Sequence, residues 1–425
     1  MSCNQTLTVG DIAQVFDGPH ATPKKIEAGP YFLSISSLEN GKLDLSKSAH
    51  VSDEDFKKWT RRVTPEEGDI LFSYETRLGE VAMMPAGVTA CLGRRMGLLR
   101  PDRTKILPEY LLYAYQSPAF QETIRSKTIH GATVDRIALK ELPSFPIQVP
   151  PILEQEKIVN VLKGYDRKLI LNAEANKTLE QMAQAIFKSW FVDFDPVKAK
   201  MNGQLPEGMD EATASLFPEK LDSETGLPEG WKLSEIGDEV TVVGGGTPSK
   251  KSDDFWVDGH IHWTSPKDLS GVQDKVLLDT ASKVTEAGLK KISSGLLPVD
   301  TVLLSSRAPV GYLALAKVPM AINQGYIAMK CEKQLPPEFV IQWCVHRMDE
   351  IKQRASGSTF AEISKKSFKP ISVVVPSEDT LNAYQKIVKP LYDAITSNAR
   401  QNEQLSSLRD TLLPKLLSGE LSISD

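Results

Sequence analysis

The chain lacks most of what would make an enzyme of it. It has no GxxxxGK[ST] phosphate cradle. It has no Asn/Asp-Pro-Pro-aromatic tetrapeptide of the kind an adenine methyltransferase uses to hold a flipped base; the only Pro-Pro pairs are Pro150-Pro151 and Pro336-Pro337. Gly244, Gly245 and Gly246 lead into Thr247, Pro248 and a polar run rather than a helix, so they do not form a nucleotide loop. Ser, His and Asp occur without nucleophile-elbow spacing. The four cysteines, Cys3, Cys91, Cys331 and Cys344, show no CxxC pattern, and the six His are scattered. They read as free thiols in a reducing cytoplasm, with no metal site. No apolar run approaches the ~18 residues of a membrane span. The opening MSCNQTLTVGD has neither the basic region nor the apolar stretch of a secretory signal. These absences point to a cytoplasmic, non-catalytic protein. Its 425 residues allow two or three domains.

Charge of one sign is also scarce. The net charge is −5. By segment it is 0 over residues 1–150, −5 over 151–230, +2 over 231–376 and −2 over 377–425. The acidity therefore sits outside the two large blocks, whose local basic faces could still meet phosphates.

One stretch is present twice. Glu154 to Phe191 carries apolar residues at helical spacing: Ile158, Leu162, Tyr165, Leu169, Leu179, Met182 and Ile186. Adding 226 to each number gives Tyr384, Val388, Leu391, Ile395, Leu405, Leu408 and Leu412. The same shift carries Asn172 and Asn176 onto Asn398 and Asn402, and Pro150 onto Pro376. Two long helices with matching seams, interrupted at matching Asn layers, are expected to pack antiparallel. Each would be on the order of 55 Å long. A buried Asn layer lowers stability but fixes register. Asn172 is expected nearer Asn402, and Asn176 nearer Asn398.

The segments between these helices repeat as well. WKLSEIGDEV resembles LTVGDIAQVF, Pro298–Ser305 echoes Glu67–Ser73, PPEFVIQWCV answers LPEYLLYAYQ, and SGSTFAEISKKSF answers HGATVDRIALKEL. In the first block, strands are expected at Tyr31–Ser36, Asp69–Ser73, Glu80–Met84 and Gly97–Arg100, with a helix at Pro108–Ser117. The expected fold class is α+β: two similar domains, 1–150 and 231–376, separated by long coiled-coil-like helices within 151–195 and 377–425. Residues 196–230, rich in LPEG and FPEK, read as a connector. Matched positions are mainly apolar, Gly and Pro, while polar loop residues diverge. One scaffold carrying two different readers would give that pattern.

The loops supply recognition chemistry. His20, Thr22, Lys24 and Lys25 in the first block, and Thr247, Ser249, Lys250 and Lys251 in the second, combine hydroxyls with cations suited to phosphate contacts. Arg94-Arg95 answers Asn323-Gln324-Gly325-Tyr326; Arg can fork onto guanine, and Asn or Gln onto adenine. Arg77, Thr133 and Arg136, with Lys267, Arg307, Tyr326 and Thr359, complete the candidate DNA-binding set. For any one basic pair a solvated turn is the simpler account. The recurrence of the constellation at equivalent places in both blocks favours the functional one.

GGGTPSKKSDDFW, LPEGW (227–231), IALKELPSFPIQVPPILEQEKIV and QAIFKSWFVDFDP resemble the specificity subunit of type I restriction–modification enzymes, and the resemblance covers essentially the whole chain. It implies two target-recognition domains, each reading half of a bipartite site on double-stranded DNA. It also implies paired helices that dock two modification subunits. Those partners bind S-adenosylmethionine and methylate adenine. Restriction subunits, two where present, can join and bring ATP- and Mg-dependent translocation and cleavage. The chain itself would hold no cofactor and no metal, and would meet no membrane. The second helical region begins PSEDTLNAYQKIV and departs from Pro150-Pro151 and Glu154-Gln155. The competing class is a protein–protein scaffold whose two pseudo-repeats bind partners and no DNA.

Overall fold

The structure, a computed structural model, describes residues 4–39, 41–131, 134–307, 309–357 and 361–423. The chain divides into two compact units. One comprises Met1–Lys168 and Leu405–Asp425, the other Leu169–Gln404.

The first unit is built on a four-stranded antiparallel sheet, in the order Ala13–Asp17, Met96–Pro101, Ile70–Ser73, Val81–Met83. Ile70–Ser73 is buried at every position, so it reads as a continuous apolar run rather than an alternating one. The helix Pro108–Gln116 opens with Pro at its first turn, where the missing N–H has no helical partner to lose. It contributes Tyr110, Leu111 and Tyr115 to a core shared with Phe72, Phe120 and Phe145. Full burial of a side chain such as Phe72 contributes about 1.5–3 kcal/mol. Leu416 and Leu417 belong to this same core. A smaller sheet joins Ala49–His50, Ile26–Phe32 and Ala90–Cys91, the last two strands in parallel. The strand expected to run to Ser36 stops at Phe32. The Ser34 hydroxyl accepts from the Ser36 N–H at 3.3 Å and turns the chain into a single 3-10 turn at Ile35–Ser37.

The second unit repeats this plan. Its main sheet runs Thr241–Val243, Tyr326–Lys330, Val302–Ser305, Leu313–Ala316, Val276–Leu277. Its smaller sheet holds Ser282–Val284, Ile261–Thr264 and Met320–Ile322, again with one parallel pair. The parallel pairs place Phe32 beside Cys91 in one unit and Trp263 beside Ala321 in the other. Trp263 and Trp343 both lie in the core.

The two long helices are Ile152–Phe191 and Glu378–Ser418. Within the second unit their apolar seams meet: Ala183, Phe187, Trp190 and Phe191 share a core with Leu381, Tyr384, Val388 and Ile395. Asn172 donates to Asn402 Oδ1 at 2.8 Å, and Asn398 donates to Asn176 Oδ1 at 2.8 Å. Higher numbers on one helix meet lower numbers on the other, so these segments run in opposite directions. Asn172 and Asn176 are each 2% exposed. An amide buried that deeply costs free energy unless it is bonded.

The compact units do not follow the five expected segments, because the ends of each long helix serve different cores. Ile158, Leu162, Leu416 and Leu417 pack in the first unit; Ala183, Phe187, Tyr384 and Val388 pack in the second. Residues 196–230 also differ from a plain connector. The helix Asp195–Met201 runs into them and a second, Glu211–Ser215, lies within them. Val197 and Phe217 are buried, with the Phe217 ring edge-on to Trp190 at 4.9 Å. Apolar residues among the Pro and Gly anchor the segment to the second unit.

Candidate nucleic-acid interface

In each unit one corner brings together the turn after the parallel strand and the loop before the central return strand. In the first unit these are Ser34–Ser37 and Gly93–Arg95. Gly93 is demanded here by close approach: a Cβ would lie 1.9 Å from the Leu33 carbonyl oxygen. Around this corner Thr22, Lys25, Ser34, Ser36, Lys47 and Arg94 line a hollow of about 420 Å³. Arg94 is exposed and, among the described residues, makes no ion pair. Its neighbour Arg95 behaves differently. It adopts a left-handed backbone, φ 70°, and its Nε lies 2.8 Å from Glu75 Oε2.

In the second unit the equivalent corner joins Ser265–Leu269 to Asn323–Gly325. Gly245 passes so close that a Cβ would meet the Ile322 carbonyl oxygen at 1.9 Å. Lys267, Ser270, Arg307, Tyr312 and Asn323 line a hollow of about 360 Å³. Asp268 fixes the turn that carries Lys267 by accepting from the Ser265 N–H at 2.7 Å and hydroxyl at 3.0 Å. Asn323 Oδ1 accepts from the Gly325 N–H at 2.7 Å, which sets the turn. Tyr326, expected among the reading residues, is only 2% exposed. Its hydroxyl donates to the Ser265 carbonyl at 2.7 Å and lies 3.0 Å from Thr264 Oγ1, and burial pushes its pKa up. It supports the hollow from beneath and presents nothing to solvent.

The remaining expected residues divide by how far the protein already occupies them. Arg77 bonds Glu80 at 3.0 Å and the Ile35 carbonyl at 3.2 Å. His20 lies 3.5 Å from Asp17. The Thr247 hydroxyl donates to Gln324 Oε1. The Ser249 carbonyl accepts from Trp256 Nε1 at 3.0 Å, leaving the side chain exposed. Arg136 is exposed. Among the described residues Lys24, Lys25, Lys250 and Lys251 are exposed and make no ion pair. Thr133 and Thr359 lie outside the described residues. Sequence reasoning missed Ser34, Ser36, Ser265 and Ser270. The signal was available, since Ser34-Ile35-Ser36-Ser37 and Ser265-Pro266-Lys267-Asp268 each follow the parallel strand of their repeat.

Among the described residues no helix is long and apolar enough to cross a membrane, and no group of His, Cys, Asp and Glu could hold a metal ion. Two α/β repeats, each with a hollow at the same corner and different side chains lining it, define a tandem-repeat α/β protein. The chain belongs to the type I restriction modification DNA specificity domain family, whose profile matches residues 1–181 and 228–407. Specificity subunits are non-catalytic, and this chain is of that kind. It is 27% identical over 368 residues to the type I restriction enzyme HindI specificity subunit of Haemophilus influenzae, covering 76% of this chain and 80% of that one. It is 24% identical over 415 residues to the MjaIX specificity subunit of Methanocaldococcus jannaschii, covering 96% and 88%. The crystal structure of the type-I restriction-modification system S subunit from M. genitalium shares the fold, with a TM-score of 0.58 at 18% identity over 100% of this chain and 97% of that one.

Proposed function

We propose that the chain reads a bipartite sequence on double-stranded DNA in the cytoplasm, one half-site per repeat, and that its long helices dock two modification subunits. Those subunits supply S-adenosylmethionine and the methylation chemistry. Restriction subunits, where they join, supply the ATP- and Mg-dependent steps. The paired Asn layers hold the register of the two helices. The observation that carries the reading is the pair of equivalent hollows with unlike linings: Ser34, Ser36 and Arg94 in one, Ser265, Lys267 and Asn323 in the other. A duplicated frame with divergent polar groups suits two different base sequences. Arg94 supplies a fork for a guanine edge, and Lys250 and Lys251 supply sequence-blind phosphate contacts.

The test is retention of duplex DNA by the full chain together with its modification subunits. Arg94→Ala is expected to relax base preference in one half-site, by roughly 1–3 kcal/mol for a lost bidentate contact, and to leave the other half unchanged. Replacing Lys250 and Lys251 by Ala is expected to weaken all sequences alike and flatten the salt dependence by about one unit of slope per lost phosphate contact. Retention of no duplex would favour a scaffold that binds proteins alone, and equal retention of every duplex would leave only sequence-blind phosphate binding and defeat the reader.

A further inference from the structure

One main-chain bridge recurs in both repeats with its charges exchanged. In the first, Arg136 pairs with Ile129 through hydrogen bonds of 3.1 and 2.8 Å, it also bridges Glu75, and the Ile137 N–H donates to the Tyr74 carbonyl at 2.9 Å. In the second, Glu362 pairs with Ser356 at 2.9 and 3.0 Å, it also bridges Arg307, and the Ile363 N–H donates to the Ser306 carbonyl at 3.0 Å. The same two positions thus hold Glu75 and Arg136 in one repeat, Arg307 and Glu362 in the other. Main-chain bonds do not depend on those side chains, so their identity is free to answer another demand.

The two pairs are placed differently. Glu75 is taken by Arg95 at 2.8 Å. Arg307 and Glu362 lie 3.8 Å apart, 37% and 48% exposed. An ion pair this open contributes about 0–1 kcal/mol, so little opposes a new partner for either group. Arg307 also lines the hollow beside Lys267 and Asn323. A carboxylate next to a guanidinium repels phosphate, which makes the pair a poor backbone clamp. It suits the major-groove edge of a G·C pair instead. The fork donates to guanine O6 and N7, and the carboxylate accepts from the cytosine N4 amine.

We propose that Arg307 and Glu362 together read one G·C pair in the half-site of the second repeat. This rests on the DNA-reading function proposed above and deepens it at a single base pair. The experiment takes the full chain with its modification subunits, selects from a library of randomised duplexes, and sequences what is bound. Wild type is compared with Arg307→Lys, which keeps the charge and loses the fork, and with Glu362→Ala, which removes the acceptor and leaves the main-chain bridge. Preference for G·C at one position is expected to fall about 5- to 150-fold in the Lys variant. In the Ala variant it falls at that same position, while total DNA retained stays level or rises because phosphate repulsion is relieved. A wild-type motif in either variant overturns the proposal, as do losses at two separate positions or in both half-sites. If wild type itself selects no sequence, the DNA-reading function fails before any variant is compared, and this inference fails with it.

Discussion

Glu109 and Glu338 stand at the same place in the two repeats, one residue after the proline that opens a helix. Burial pushes both carboxyls up. At Glu109 that push is outweighed, chiefly by Lys163 at 2.8 Å, and the group stays below the usual range. At Glu338 burial prevails and the pKa is raised, with Oε2 lacking a hydrogen-bond partner among the described residues. The lysine equivalent to Lys163 is Lys389, and it bonds both oxygens of Asp393 at 3.0 Å. Where the second helix has Asp393, the first has Arg167. One charge, a helical turn away, decides whether the buried carboxylate is answered. The same divergence appears one contact further in. Tyr113 donates to Asp166 at 2.6 Å, and Arg409 donates to it at 2.9 Å. At the equivalent place Gln342 donates to Tyr392 at 2.7 Å and to Glu180 at 3.0 Å, and Lys275 donates to Glu180 at 2.9 Å. Duplication preserved a site for a polar network and not the groups that make it.

The hardest blow to this comparison is to empty the seam. Tyr384 is fully buried among Phe191, Trp190 and Phe339, whereas its counterpart, the smaller Ile158, lies in the first unit's core with Leu162. Tyr384→Ala is expected to destabilise the second unit by about 3–5 kcal/mol, with a smaller loss in the first unit for Ile158→Ala, near 2–3 kcal/mol. Urea unfolding followed by hydrogen exchange in each unit measures both. Equal losses would show that the two seams are energetically alike.

The paired carboxylates give a finer test. The folded-state pKa of Glu338 is raised, so as pH rises the unfolded chain releases its proton first. Its stabilising contribution is therefore full below the ordinary carboxyl range and is lost as pH climbs through the folded value. Glu338→Gln should remove that loss and gain about 1–3 kcal/mol at neutral pH, the cost of an unsatisfied buried group. Glu109 is depressed, so its contribution is present above the unfolded value and lost as pH falls. Glu109→Gln should cost up to about 1 kcal/mol at neutral pH. Melting temperatures between pH 4 and 8 that ran parallel for the two variants would contradict the assignment. A change in register rather than a loss of stability is expected where the repeats agree. Replacing Asn172, Asn176, Asn398 and Asn402 by Leu should hold or raise stability within about 1–2 kcal/mol while loosening register. Spin labels at Ala175 and Arg400 would report this as a broadened distance distribution; an unchanged one would deny the Asn layer that role.

The duplication, the main strands and the pairing of the Asn layers were legible because one fixed shift aligned whole faces at once. The hollows were half legible. Thr22, Lys25, Arg94, Lys267, Arg307 and Asn323 line them, but Ser34 and Ser36 hid inside a strand pattern that the Ser34 turn cuts short. Arg94 and Arg95 could not be separated by composition, since only the fold shows that Arg95 has a left-handed backbone and pairs with Glu75 while Arg94 is exposed. Tyr326 begins a strand whose first residue faces inward. The burial of Val197 and Phe217 within residues 196–230 was not legible, because Pro and Gly report turns and say nothing of what the segment packs against.

The bridge joining Glu75 to Arg136 and Arg307 to Glu362 is held by peptide groups, so it does not depend on which side chains stand at those positions. A lineage carrying this chain can thus drift at that corner by single substitutions, with the architecture intact at every step. On the proposed reading, new preferences would lie next to old ones on the mutational map, and the second copy would leave one half of the address untouched while the other is rewritten.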